Sequence, residues 1–439
     1  MHTMIRILVA LTFATLLSLS AHAQEPLRGV ISGANEGAVP VAVVPFAHEG
    51  GGLPPSVDLA QVIAADFNRS GQIRSLPRGD VVEFPVRESD VRFATWRLLR
   101  QDYLVIGRVA DAPGGGFRVE YEAFDVARQE RILTGAINGR EAELRGVAHQ
   151  IADLVYEKIF GVRGAFFTRI AYVTARGVAP NIEYALMVAD SDGHGPQLVV
   201  RSREPLMSPA WSPDGRRLAY VSFERGNSAI YIQELATGSR EVVSASPGIN
   251  GAPAFSPDGT RLAVSLSRTG NPEIHILDLA SRQTTQLTRH WAIDTEPQWL
   301  PDGRSIVFTS DRAGKPQIYQ VPATGGEPTR LTGQGDYNAR VSVAYDGQRF
   351  AMVQGAGNVY RIAVLDRTRG GGGRYDLVSP GRMDESPSFA PNASMLIYAA
   401  REGGRGVLYS VSADGRVRQR LVLADGDVRE PAWSPYRQR

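Results

Sequence analysis

The heptad Pro209-Ala210-Trp211-Ser212-Pro213-Asp214-Gly215 returns as Pro253-Ala254-Phe255-Ser256-Pro257-Asp258-Gly259 and as Pro297-Gln298-Trp299-Leu300-Pro301-Asp302-Gly303. Altered copies stand at Ser342-Val343-Ala344-Tyr345-Asp346-Gly347, Pro387-Ser388-Phe389-Ala390-Pro391-Asn392 and Pro431-Ala432-Trp433-Ser434-Pro435. Their fifth residues, at 213, 257, 301, 345, 391 and 435, are separated by 44, 44, 44, 46 and 44 positions. A period of this length, with each unit reading as four short strands, is the signature of a β-propeller blade. Each anchor strand runs into Ser-Pro-Asp-Gly, a type I turn with Pro second and Gly fourth. Alternating strands follow, as in Leu218–Ser222 or Ile306–Thr309, then Ile230–Ile232 or Ile274–Leu277, then an outer strand such as Gln286–Thr288. Six anchors and six second strands are present, but out of phase. Ile170–Val173 has no anchor before it, and Pro431–Pro435 has no second strand after it. Letting the last anchor complete the first blade closes the ring and hides both sheet edges. Six blades follow.

Upstream of the repeats the periodicity changes. Val41–Phe46 and Tyr103–Gly107 read as buried strands and Phe117–Phe124 as an antiparallel one. Leu59, Val62, Ile63 and Phe67 lie at helical spacing between Val57 and Asn68. A second helix spans Glu141 to Ile159, stopped by Gly161 and Gly164. Residues 1–23 read as a cleaved secretory signal: Arg6, the apolar run Ile7–Ser20, and Ala21-His22-Ala23 before a cut between Ala23 and Gln24. The run is short for a membrane span, and no Cys follows it to take a lipid. The expected fold class is therefore a small α/β N-terminal domain, residues 24–164, followed by a six-bladed β-propeller, residues 165–439, closed by the C-terminal strand.

Composition narrows the chemistry. The 439 residues include 46 Gly and 27 Pro, a turn-rich excess over average usage, while a 43% hydrophobic share is ample for a packed core. Cysteine is absent, which removes disulfides, thiolate metal sites and thiol nucleophiles. The 48 basic and 46 acidic residues nearly balance, giving +2, so no nucleic-acid footprint is expected. The seven His are scattered, with no His-Glu-x-x-His pair, and no Gly-x-Ser-x-Gly elbow exists. Gly370–Gly373 lacks the Lys-Ser/Thr of a phosphate loop. Asp214, Asp258 and Asp302 sit in repeated tight turns, where Asp bonds the local backbone, so a structural role is expected. Trp211, Trp299 and Trp433 read as blade core.

Strand direction separates two faces. The Ser-Pro-Asp-Gly turns emerge on one, and the loops before each anchor emerge on the other. That loop face holds Met207-Ser208, Asn250-Gly251-Ala252, Asp294-Thr295-Glu296, Arg340, Asp384-Glu385 and Arg429-Glu430, with Arg225, Arg268, Arg312 and Lys315 further out. The loops differ while the scaffold repeats, as expected of a binding face. Its acidic groups invite a channel-bound cation such as calcium, although no ligand set specifies one. Otherwise no cofactor, catalytic residue or metal ligand is expected.

The heptads, together with Gly164-Ala165-Phe166, Thr168-Arg169-Ile170-Ala171-Tyr172-Val173, Val43-Val44-Pro45-Phe46 and the chain end Pro431–Pro435, resemble the TolB family, periplasmic propellers of the Tol–Pal system. The resemblance implies a non-enzymatic adaptor, held at the outer membrane through the lipoprotein Pal, supporting envelope integrity and constriction at division. It makes the loop face Pal-binding: Met207, Ser208, Asn250, Ala252, Thr295, Glu296, Arg312, Asp384, Glu385 and Glu430, of which Asn250, Ala252, Thr295 and Glu296 lie in matching motifs. Ile249 stands where the compared family pattern has His. The mature amino terminus, Gln24 to about Asn35, would engage TolA by adding a strand, through Gln24, Glu25, Leu27, Arg28, Val30 and Ile31. Two other readings remain. A propeller-associated hydrolase would need a catalytic constellation that the sequence lacks. A secreted propeller for a small ligand or glycan would need exposed aromatics, for which Trp291 and Tyr337 are the candidates.

Overall fold

Every Pro-Asp-Gly copy folds as the expected turn and locks onto its neighbour. The N–H of Gly215 donates to the Ser212 carbonyl at 2.9 Å, with equivalents at Gly259, Gly303 and Gly347. These glycines hold φ of +65 to +71°, the left-handed region open to a residue without Cβ. The preceding blade's proline lies against each of them. A Cβ on Gly259 would stand 3.6 Å from Pro213, and one on Gly215 3.5 Å from Pro435. Asp214 accepts from the Ser212 hydroxyl (2.5 Å) and the Arg216 N–H (3.0 Å), and Asp258 repeats the pattern. The repeated aspartates are turn residues.

The computed structural model describes residues 37–370, 373–421, 423 and 426–438, and the backbone of Gly29–Val30. The expected signal peptide 1–23, its Ala23–Gln24 junction, and Gln24, Glu25, Leu27, Arg28 and Ile31 lie outside the described residues. Six antiparallel sheets form the ring. In blade 1 the order from the axis outward is Asp427–Trp433, Arg169–Arg176, Glu183–Asp190, Gln197–Ser202, so the last strand of the chain supplies the first strand of the first blade. Blades 2 to 5 begin at Leu206–Trp211, Asn250–Phe255, Asp294–Trp299 and Tyr337–Val343. Blade 6 runs Glu385–Phe389, Met395–Glu402, Arg405–Ser412, Arg418–Arg420 and takes Gly29–Val30 as a fifth, outermost strand antiparallel to Arg418–Arg420.

Adjacent blades are stapled by the anchor aromatics. The indole N–H of Trp211 donates to the Ala432 carbonyl (3.0 Å) and that of Trp299 to Ala254 (3.2 Å), while that of Trp433 bonds the Thr168 hydroxyl (2.8 Å) within blade 1. Arg169, Arg217 and Arg261 each lay a guanidinium over the next blade's ring, Trp211, Phe255 and Trp299, at 5.0, 5.5 and 4.8 Å. Such contacts add about 0.5–2 kcal/mol each to the apolar burial.

The amino-terminal domain is built on a six-stranded sheet: five strands run in the order Ile73–Ser75, Val39–Val43, Tyr103–Asp111, Phe117–Asp125, Glu130–Gly139, parallel for the first three and antiparallel after, and Ala47–His48 is a sixth, also pairing Tyr103–Asp111. The strand at Val39 ends two residues before Pro45, which lacks the donor a ladder needs. Gly107 is required because Phe46 lies where its Cβ would be. Helix α1, Leu59–Ser70, starts after Asp58, whose carboxylate caps the Gln61 N–H at 3.0 Å, so it begins later than its periodicity suggests. The short α2, Phe93–Leu98, places Trp96 on one face of the sheet, whereas α3, Leu144–Phe160, packs with α1 on the other. α3 ends at Gly161 in the left-handed conformation. The apolar cluster around α1 and α3 continues without a break into blades 1 and 6, through Ile170, Tyr172, Met395, Ile397, Leu408 and Trp433.

A buried charge cluster sits at the same junction. His149 Nδ1 is 2.6 Å from Asp66, and its Nε2 faces Asp192 of blade 1 at 3.8 Å. Arg69 bonds Asp66 (2.7 Å) and the Ser191 hydroxyl (3.2 Å), Arg145 pairs with Asp192, and Asp153 accepts from the Phe166 N–H at 2.7 Å. Burial alone would lower the His149 pKa, but Asp66, Asp192 and Asp190 outweigh it and raise it. Burial pushes the Asp153 carboxyl up to about 6, against the bonds from Phe166 and Phe167. Asp192 is held below the usual carboxylate range, because His149, Arg145 and Arg69 overcome its desolvation.

Two outcomes are expected. Trp433→Ala should destabilise the chain by about 3–5 kcal/mol in equilibrium denaturation, because it empties the closing seam. Raised folded-state values for Asp153 and His149 mean the native state binds more protons than the unfolded chain. Their stabilisation is present at low pH and is lost as pH rises, for Asp153 through about 6 and for His149 above the ordinary histidine value. The thermal-midpoint advantage of wild type over His149→Gln should therefore shrink from pH 5.5 to 8.5, a comparison that cancels the opposite contribution of His194 and His275, whose values burial lowers.

Candidate partner-binding face

Each anchor strand is broken by a bulge at the same place, three residues before its aromatic or, in blade 5, before Val343, where the pairing register slips. The bulged residues Ser208, Ala252, Glu296, Arg340, Ser386 and Glu430 all have left-handed φ, between 47 and 55°. Five of the six precede proline, which disfavours right-handed helical backbone at the preceding residue. They ring a cavity of about 120 Å³ on the propeller axis.

Three of these side chains form one ionic network. Arg340 Nε donates to Glu296 at 2.8 Å, another guanidinium nitrogen bonds the Ser386 hydroxyl, and a third lies 3.7 Å from Glu430. Glu296 also accepts from the Arg340 N–H (3.0 Å) and the Thr309 hydroxyl (2.9 Å), and Glu430 accepts from the Ser208 N–H. Burial alone would lower the Arg340 pKa, but Glu430 and Glu296 hold the guanidinium more firmly protonated than usual. One side chain thus ties blades 4, 5, 6 and 1 across the channel mouth. Among the described residues no group of three or more His, Asp or Glu is arranged to hold a metal ion. Of the carboxylates that invited a cation, Asp294, Glu296 and Glu430 already face a guanidinium.

The expected face residues fall into three groups. Met207 and Glu385 are exposed and Thr295 is half-buried, its hydroxyl 3.3 Å from that of Ser265. Ser208, Ala252, Glu296 and Glu430 line the channel. Asn250, Arg312 and Asp384 have partners inside the loops. Asn250 is fully buried, accepts from the Ser244 hydroxyl (2.7 Å) and Ser246 N–H (2.9 Å), and donates to the Ser246 (2.7 Å) and Ser228 (3.0 Å) carbonyls. Arg312 pairs with buried Asp294 at 2.7 Å. Asp384 accepts from the Gly381 N–H at 2.9 Å, and burial pushes its carboxyl up. Asn250, Asp294, Asn338 and Asp384 are equivalent positions in successive blades, each buried and bonded to nearby loops. Their polarity reads as surface, yet its recurrence every 44–46 residues was the signal of a scaffold role. Sequence reasoning set Arg340 on the loop face but gave it no role there, and placed Glu296 at the partner surface without its ion pair.

Exposed large apolar side chains divide unequally between the two faces. Met207, Ile249, Trp291, Ile293, Met383 and Val178 lie on the loop face, against Tyr345 on the turn face. Ile249, Ile293 and Met383 occupy equivalent positions, one residue before the buried polar one, as does half-buried Tyr337. Contiguous exposed apolar surface on a folded chain marks docking sites.

An α/β domain seated on the closing seam of a six-bladed ring, with a patterned loop face, defines an architectural class of two-domain propellers. Residues 28–132 match the TolB amino-terminal domain and residues 156–437 the TolB beta propeller domain. Tol-Pal system protein TolB of Xanthomonas campestris pv. campestris is 65% identical over 434 residues, 99% of this chain and 98% of that protein. Its counterpart from Xanthomonas euvesicatoria is 66% identical over the same length. The crystal structure of TolB from Acinetobacter baumannii superposes with a TM-score of 0.84 at 39% identity, covering 93% of this chain and 99% of that one. The chain belongs to the TolB family.

Arg340→Met should lower stability by about 2 kcal/mol in urea denaturation, since it leaves two carboxylates without their counter-charge. Adding Glu296→Gln to that variant should recover part of the loss.

Proposed function

We propose that this chain is a non-enzymatic periplasmic adaptor of the Tol–Pal system. After signal cleavage at Ala23 it binds the lipoprotein Pal through the propeller loop face and TolA through its mature amino terminus. It stays peripheral to the outer membrane and supports envelope integrity and constriction. The observation that carries the reading is the asymmetry of the ring: the loop face gathers the exposed apolar side chains, and the turn face is closed by interlocked Pro and Gly. Two further features support it. Gly29–Val30 pairs as an edge strand, so this segment adopts the conformation that strand addition to a partner requires. Among the described residues no helix is long and apolar enough to cross a membrane. We take the chain to work without a cofactor, with Arg340 supplying the positive charge that a channel cation such as calcium would bring. Membership of the family is independent of these partner assignments.

Calorimetry of the mature chain with its own organism's Pal should give saturable one-to-one binding, and heat indistinguishable from dilution would sink the reading. Deleting residues 24–35 should abolish TolA binding and leave Pal binding in place. Glu296→Arg would set two guanidiniums against each other in the channel, so loss of binding in that variant does not isolate a partner contact.

A further inference from the structure

Trp291 is 77% exposed, whereas the other four tryptophans, Trp96, Trp211, Trp299 and Trp433, are at most 9% exposed. It is not on a free loop tip. Glu273, buried in blade 3, accepts from the His290 N–H (2.6 Å) and the Thr288 hydroxyl (2.6 Å). Asn271 Nδ2 donates to the carbonyls of His290 (2.7 Å) and Ala292 (2.6 Å). The Ala292 N–H donates to His290 Nδ1 (3.1 Å), and the Ile293 N–H to Asp311 (2.8 Å). The backbone is therefore fixed on both sides of Trp291, and the His290 ring lies 5.1 Å from the indole. A buried carboxylate and a carboxamide hold in place a loop whose largest side chain points into solvent. No aromatic or cation–π contact ties that indole to the blade core.

The surroundings suggest what it meets. Ile249 and Ile293, 51% and 48% exposed, extend the apolar surface over blades 3 and 4. Arg225, Arg268 and Arg289 are exposed in this sector and enter no ion pair among the described residues. The nearby carboxylates are committed elsewhere: Asp294 to Arg312, Glu224 to Arg240, and Asp311 to the Ile293 N–H. A rigid aromatic loses little conformational freedom on binding and concentrates binding energy, and the surrounding positive charge selects the opposite sign.

We infer that Trp291 is the anchor of the loop face, and that the docking partner presents an apolar pocket rimmed by carboxylates. This rests on the Pal reading above and adds to it the residue and the chemistry. The test uses the full mature chain and lipid-free Pal from the same organism, with calorimetry and acrylamide quenching of tryptophan emission. Because the other indoles are buried, the accessible emission belongs to Trp291. Saturating Pal should remove the quenchable component. Trp291→Ala should raise the Kd at least ~10-fold with an unchanged thermal midpoint, and Trp291→Phe should restore most of the affinity. The double variant Arg268→Glu, Arg289→Glu should weaken binding and flatten its dependence on salt. If wild type binds Pal but Trp291→Ala stays within about twofold of it, or Trp291 remains quenchable in the complex, the inference is overturned while the Pal reading stands. If wild type does not bind Pal, that reading fails first and takes the inference with it.

Discussion

Ring closure depends on one strand pairing made between the two ends of the propeller sequence. Asp427–Trp433 pairs with Arg169–Arg176, and the Trp433 indole bonds Thr168 from inside the same cluster that holds α1 and α3. The contact closes the sheet of blade 1 and seals it against blade 6. It also completes the floor on which the amino-terminal domain sits. Because the apolar cluster crosses that boundary without a gap, the two domains share a core at the propeller's seam.

Much of the architecture was legible in the sequence, for a physical reason. A turn that needs Pro at one position and left-handed backbone at another leaves similar letters at successive blades, so Ser-Pro-Asp-Gly and its altered copies reported both the blade number and the phase offset that closes the ring. The helices α1 and α3 were visible from their apolar spacing, and Asp58 explains why the first begins later than that spacing suggests. The strands at Glu130–Gly139 and Ile73–Ser75 and the helix α2 were not visible. An exposed edge strand lacks strict alternation, and elements of three to six residues give periodicity too few turns to register.

The face was harder to read than the fold. Polar residues before an anchor look like surface, yet Asn250, Asp294, Asn338 and Asp384 are interior bolts, because loops of that length have backbone donors and acceptors that must be satisfied somewhere. Arg340 was visible as a loop-face residue, but its bridging role was not, because its partners come from blades 4, 6 and 1, far away in sequence. Trp291 was noticed only beside Tyr337, as a candidate aromatic for a small ligand or glycan. What distinguishes it is the support beneath it, from Glu273 and Asn271, which no local pattern reveals. Charge pairing across a ring is a property of closure, and closure is not written in any window of the chain.

The six left-handed residues at the channel mouth bear on how freely this chain can vary. Each would be more comfortable as glycine, so random replacement there has one easy destination, and an allele that reaches it loses a side chain but gains backbone ease. At Ala252 that exchange is almost neutral. At Glu296, Arg340 and Glu430 it removes one member of a charge-paired set, so substitutions at those three positions should not be additive. The channel mouth is thus a small constrained alphabet inside a tolerant scaffold, and lineages that alter its charge must pass through intermediates in which the ring is held less well.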